Sequence, residues 1–328
     1  MEANPKRAWE SGAVFNCGAT LCTVDEVSTS AVCLLYRAVG EGYIKSADGS
    51  GYDNYVSSIG CAVSEDGERF IRYPRPVIEP TEDYERFGCE DARVTRLELD
   101  GRPMYMVTYT ALSAPAFSGY GNRVALATSG DLRTFRKHGP IIPHLNNKDA
   151  VIFPELIGGR IAMLHRVFPN IQIIYWDDLE QILELSSKSA ESDAFWRSYE
   201  ASLDEHTVMR PTFEWELSKI GAGPPPVKTE EGWLLIYHGV DAEDFYRAGA
   251  ALLDLEDPSR IVARLPYPIL EPEEEYERVG DVPNVVFPVG AVVRDGVLYV
   301  YYGGADTCCC LASAPLDGLV TELKAHPV

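Results

Sequence analysis

Two adjacent carboxylates and an arginine stand together in Phe87-Gly88-Cys89-Glu90-Asp91-Ala92-Arg93-Val94-Thr95. They sit at the mouth of a strand-like run, 93–99, which would turn alternate side chains to opposite faces. Glu90 and Asp91 then point apart, one toward a cavity and the other toward the turn or Arg93. Carboxylates so placed suit general acid and base work on a glycosidic bond. A surface turn with an ion pair has the same local sequence, so the rest of the chain must discriminate.

The elements that would position this pair recur along the chain. A short apolar run leads through a turn to a strongly apolar second run, then to a third run ending in an acidic turn. The second runs are 33–37, 104–110, 161–166, 233–239 and 298–304. The third runs are 58–64, 123–129, 171–176, 248–255 and 308–314. The first runs begin near Phe15, Glu90, Phe153, Gly223 and Phe287, and fourth, weaker runs follow at 136–142 and 261–270. Asp100-Gly101, Gly158-Gly159, Glu231-Gly232 and Asp295-Gly296 are hairpin turn signals between first and second runs. The second runs start roughly 57 to 72 residues apart, a spacing of repeats. Units of about four antiparallel strands, repeated five times, predict an all-β fold: a single five-bladed β-propeller over 1–328. A polar stretch at 188–206, rich in Ala, Ser and Glu, predicts a short helical insertion on the rim or at an assembly contact.

In a propeller, first-strand starts and second-strand ends meet on one face of the central channel. The starts carry Asn16, Glu90, Asp91 and Glu155. The ends carry Arg37, Tyr109, His165, Arg166, His238 and Gly303-Gly304, with Asp306 just beyond, and Lys219 precedes the fourth first run. Arg and Lys clusters hold phosphate oxygens. The alternative is that each basic group pairs with an acid between blades.

Composition narrows the partners. The 328 residues are 46% hydrophobic and 24% charged, a globular balance, with a formal net charge of −21. Such a surface disfavours nucleic acid and anionic lipid. No apolar run is long enough for a transmembrane helix and the N-terminus lacks an apolar signal core, so a cytoplasmic protein is expected. The eight cysteines show no zinc spacing, and Cys308-Cys309-Cys310 reads as small apolar residues in a strand.

At this point the residues carry a family. Gly88-Cys89-Glu90-Asp91-Ala92-Arg93, Leu164-His165-Arg166, Lys219-Ile220-Gly221-Ala222-Gly223-Pro224-Pro225, Tyr237-His238-Gly239, Tyr246-Arg247-Ala248-Gly249, Val282-Pro283-Asn284 and Tyr302-Gly303-Gly304-Ala305-Asp306 resemble, in order, the motifs of glycoside hydrolase family 130. The resemblance spans about Asn16 to Pro315 and implies a five-bladed propeller. It further implies an inverting β-mannoside phosphorylase, a glycosyltransferase-type reaction that yields α-mannose 1-phosphate. Inorganic phosphate would be the co-substrate, with no other cofactor and no metal. By the same matching Asp91 is the catalytic acid, its proton reaching the glycosidic oxygen through a mannose hydroxyl. Arg37, Arg166, Lys219 and His238 would bind phosphate. Asn16, Glu90, Arg93, Tyr246 and Asp306 would bind substrate. Ala92 stands where the family often has Pro, and Cys17 where Pro or a small polar residue is usual. A β-mannosidase and a non-catalytic mannoside-binding propeller are the competing readings. The first would lack the cationic set, and the second would bind without turnover. Loops at 39–55, 111–120 and 188–206 are expected to set acceptor choice, and a homo-oligomer is compatible with the chain.

Overall fold

The computed structural model describes residues 1–23, 30–46, 51–99 and 101–328. Its strands form five antiparallel blades in chain order. Blade 1 contains Ala13–Thr23, Ser30–Val39, Ser57–Ser64 and Ile71–Arg72. Blade 2 contains Cys89–Leu99, Arg102–Leu112, Asn122–Ser129 and Arg136–Pro140. Blade 3 contains Lys148–Ile152, Ile161–Val167, Asn170–Trp176 and Thr207–Met209. In blade 4, Lys219–Ala222 and Val227–Thr229 both pair with Gly232–Val240, followed by Tyr246–Leu253 and Ile261–Arg264. Blade 5 contains Val286–Arg294, Val297–Gly304 and Cys308–Pro315. The expected second and third runs fall on observed strands, with 248–255 running two residues past the strand end at Leu253. Asp100 of the expected Asp100-Gly101 turn and residues 47–50 of the 39–55 loop lie outside the described residues.

The apolar patterning has a direct cause. A blade inside the ring is covered on both faces, so its middle strands bury nearly every side chain, as Gly232–Val240 does throughout. An apolar core fills each junction between consecutive blades. Leu35 and Cys61 meet Val94 and Val107 between blades 1 and 2. Val151 and Ile173 meet Ile220 and Trp233 between blades 3 and 4. The ring closes where Val14 and Ala62 of blade 1 share a core with Val292 and Tyr301 of blade 5.

Two first strands begin earlier than the repeats predict. Blade 3 starts at Lys148 rather than Phe153, and blade 4 at Lys219 rather than Gly223. The polar run Asn147-Lys148-Asp149 reads as a loop in sequence, and the blade 4 strand is interrupted at Gly223-Pro224-Pro225-Pro226, whose prolines lack the N–H a ladder needs. The helical insertion is confirmed as helix Ala190–Ala201, preceded by Leu179–Leu185. Its Trp196 and Tyr199 are buried in the core between blades 2 and 3. A helix not anticipated, Leu316–Lys324, buries Val320 and Leu323 against blades 4 and 5.

Candidate active site

Three first strands enter the channel through the same irregularity. The register shifts between Phe15 and Gly18, between Glu90 and Arg93, and between Lys148 and Val151. In each bulge one residue takes a left-handed backbone: Asn16 at φ 49°, Asp91 at φ 53° and Asp149 at φ 56°. Asn and Asp tolerate that conformation best, and a bulge re-aims a side chain at a sheet end. The result is three polar side chains from successive blades at one end of the channel.

Two of them, Asn16 and Asp91, reach a cavity of about 630 Å³ that is also lined by Arg37, Glu90, Lys148, Arg166, Lys219, Tyr246 and Asp306, among others. Asp91 is buried, and its Oδ1 accepts hydrogen bonds from Asn16 Nδ2 at 2.7 Å and Arg37 Nη1 at 3.4 Å. Asn16 fits only because its neighbour is Gly303: a Cβ there would lie 2.0 Å from Asn16 Oδ1. Arg37 also donates to Glu90 and stacks 4.6 Å from the Phe15 ring. It therefore stands with the carboxylates and not with the other cations. Burial pushes the Glu90 carboxyl up to about 7 against the opposing pull of Arg37, and pushes Asp306 up to about 6.

The opposite wall is cationic. Arg166 Nη1 lies 2.9 Å from Asp149 Oδ2, and Lys219 Nζ lies 5.0 Å from the centre of the Tyr246 ring. Burial, reinforced by Arg166, pulls the Lys219 ammonium down. Among the described residues neither Lys148 nor Lys219 has a carboxylate within ion-pair distance.

Two expected site residues lie beneath this wall. Arg93 is 1% exposed and donates to the carbonyls of Asp91, Ala222 and Gly223 and to Asp149 Oδ1. His238 is fully enclosed, packs 4.5 Å from the Phe287 ring, and is held well below its ordinary value by burial. It is neutral and accepts from Arg166 at 3.4 Å.

Three residues expected at this face are elsewhere. Glu155 lies past the far end of its strand and pairs with Lys228 on the surface. Tyr109 donates to Glu85 in the core between blades 1 and 2. His165 is buried away from the cavity, between Asn147 Nδ2 at 2.7 Å and the Tyr199 hydroxyl at 2.6 Å. Burial pulls it down to about 3. Lys148 and Asp149 are not among the expected site residues, because the blade 3 strand starts at Lys148, ahead of the Phe153 that the repeats predict. The signal was present: Asp149-Ala150-Val151 repeats the layout of Asp91-Ala92-Arg93.

With this geometry in hand, comparison with known proteins is decisive. The family profile described as β-1,4-mannooligosaccharide phosphorylase, glycoside hydrolase family 130, matches residues 10–325. The chain belongs to that family. It is 40% identical over 300 residues to a 1,2-β-oligomannan phosphorylase of Thermoanaerobacter sp. strain X514, covering 91% of this chain and 88% of the relative. It is 38% identical over 304 residues to a β-1,2-mannobiose phosphorylase of the same organism, covering 91% and 89%. The solved β-1,2-mannobiose phosphorylase from Listeria innocua, in complex with β-1,2-mannobiose, superposes with a TM-score of 0.74 at 30% identity, covering 96% of this chain and 92% of the other. The propeller and the membership of a family of mannoside phosphorylases, both expected from the motifs, therefore hold. This family 130 chain is an enzyme.

Proposed function

We propose that the chain catalyses the inverting phosphorolysis of a terminal β-1,2-linked mannoside. Inorganic phosphate attacks the anomeric carbon from the side of Arg166 and Lys219. The carbon–oxygen bond to the next sugar breaks, and the leaving oxygen takes a proton that originates on Asp91 and passes through a mannose hydroxyl. The products are α-mannose 1-phosphate and a saccharide shortened by one unit. Phosphate arrives as an anion and needs no base, whereas water would need one. Asn16 and Asp306 hold the sugar, and Glu90 and Tyr246 complete its walls. Arg37 binds the carboxylate side and orients Asp91.

The observation that carries this reading is the pair of lysines facing the cavity, without a carboxylate partner among the described residues, beside Arg166, in a chain of net charge −21. An anionic co-substrate supplies the missing charge. The linkage follows the relatives of 38% and 40% identity, whose names specify β-1,2, over the β-1,4 of the family description.

The test is synthesis. α-Mannose 1-phosphate is incubated with mannose, β-1,2-mannobiose, β-1,4-mannobiose, glucose and N-acetylglucosamine, and phosphate release is followed. Release that requires mannose or β-1,2-mannobiose is expected. Preference for β-1,4-mannobiose would overturn the linkage. Mannoside cleavage that ignores phosphate would overturn the phosphorylase.

A further inference from the structure

Asp149 is fully buried, does not line the cavity, and still collects polar partners from three blades, two of them guanidiniums. Its Oδ1 accepts from Arg93 Nη2 of blade 2 at 3.1 Å. Its Oδ2 lies 2.9 Å from Arg166 Nη1 of its own blade and 3.7 Å from His238 Nε2 of blade 4. Arg93 in turn donates through Nη1 to the backbone carbonyl of Asp91 at 3.0 Å. One carboxylate thus touches the guanidinium of the cationic wall and, through Arg93, the strained backbone that aims the acid. The backbone around it is shaped for this contact: a Cβ on Gly221 would lie 2.7 Å from Asp149 Oδ2 and 2.4 Å from His238 Cε1. Burial would raise the Asp149 carboxyl, but the positive charges of Arg166, Arg93 and Lys148 outweigh it and hold it far below the usual range. It stays ionised and has no proton to give.

We propose that Asp149 is a positioning residue for phosphate: it fixes the Arg166 guanidinium on the cavity wall and ties that wall, through Arg93, to the backbone of Asp91. This rests on the phosphorylase reading. A bare pair of arginines would spread apart by mutual repulsion and leave the wall without a fixed donor geometry. With Asp149 between them each guanidinium keeps one direction occupied, and Arg166 presents its remaining donors to the cavity.

The experiment is a kinetic cycle on Asp149→Asn, Arg166→Gln and the double variant, measured in the phosphorolytic direction with β-1,2-mannobiose. Asn is the replacement that best tolerates the left-handed backbone at this position. Asp149→Asn is expected to raise the KM for phosphate about tenfold or more, the loss of one charge-assisted contact, and to leave the KM for mannobiose within about twofold. In the Arg166→Gln background the same substitution should add less than about twofold, because its partner is already gone. Gly221→Ala, whose Cβ would displace the Asp149 Oδ2 that faces Arg166 while keeping every charge, should raise the phosphate KM in the same direction. A folded Asp149→Asn variant with unchanged phosphate KM would overturn the proposal, as would full additivity with Arg166→Gln. Loss of the fold in both Asp149→Asn and Gly221→Ala would assign Asp149 a purely structural role and overturn it too. Calorimetry of the unmodified protein with inorganic phosphate separates the two levels. Absence of phosphate binding there removes the phosphorylase reading and this proposal with it. Binding that Asp149→Asn leaves intact removes the proposal alone.

Discussion

Asp91 and Asp149 occupy the same place in consecutive blades. Each sits in the first-strand bulge, each has a left-handed backbone, and each is followed by alanine. Asp91 opens on the cavity, where it receives an amide and shares one arginine with Glu90. Asp149 is sealed below the floor by two guanidiniums and an imidazole. The backbone device delivers a carboxylate to the channel end, and the neighbours then decide what it does. Two fixed positive charges make a permanent anion. Asp91 has a single arginine, already engaged by another carboxylate, and keeps its access to the cavity.

Substitutions can break or sharpen that contrast. The largest effect is expected at Asp91, the proposed acid. Asp91→Asn keeps the bulge and the hydrogen-bonding volume but removes the transferable proton, so kcat should fall by about 10²–10⁴. Phosphate binding by calorimetry should survive. A variant that keeps near-normal kcat would move the acid elsewhere, with Glu90 the neighbour to examine.

Lys219→Ala probes the other wall. It should raise the phosphate KM about 10- to 100-fold, measured with mannobiose saturating, and leave mannobiose binding alone. An equal loss for both substrates would place Lys219 on the sugar.

The third effect is a pH dependence. Glu90 has a folded value raised from 4.5 to about 7, so its contribution to stability is present below about 4.5 and is lost as pH rises to about 7. The buried His165, pulled from 6.5 to about 3, acts in the opposite sense: its contribution is present above 6.5 and is lost as pH falls toward 3. Glu90→Gln removes the first term and keeps the second. Its stability should therefore climb more steeply than that of the unmodified protein between pH 4.5 and 7, in urea titrations at stepped pH. Parallel pH curves would show that Glu90 is not titrating there.

The smallest effect is expected outside both carboxylates. Tyr199→Phe removes the hydroxyl that meets His165 and leaves the ring in its core. Stability should drop by about 1 kcal/mol, read from urea unfolding, with kcat almost unchanged. A large loss of activity would bring the helical insertion into the chemistry.

Much of this was legible in the chain itself. Runs buried on both faces announce inner strands, and their repetition gives the blade count without any contact being known. The motif Gly88-Cys89-Glu90-Asp91-Ala92-Arg93 marks the site because it combines a bulge-compatible Asp with charged neighbours. Arg166, Lys219, Tyr246 and Asp306 reach one cavity, as their places at strand ends suggest.

What the chain could not disclose was which charged groups touch the cavity and which lie below its floor. Arg93 and His238 read as ligands, yet they are enclosed. Glu155 read as a channel residue, yet it lies on the surface. Asp149 lies ahead of the strand start expected near Phe153 and proves to join three blades. The physical reason is the bulge. A strand places alternate residues on opposite faces, so one inserted residue reverses every assignment after it, and its position is set by packing between blades. Arg93 takes its side-chain direction from carbonyls about 130 residues away. The sequence by itself determined the repeat, the ring and the inventory of charge. Only the closed ring decided which carboxylate faces the cavity and which lies buried between Arg93 and Arg166.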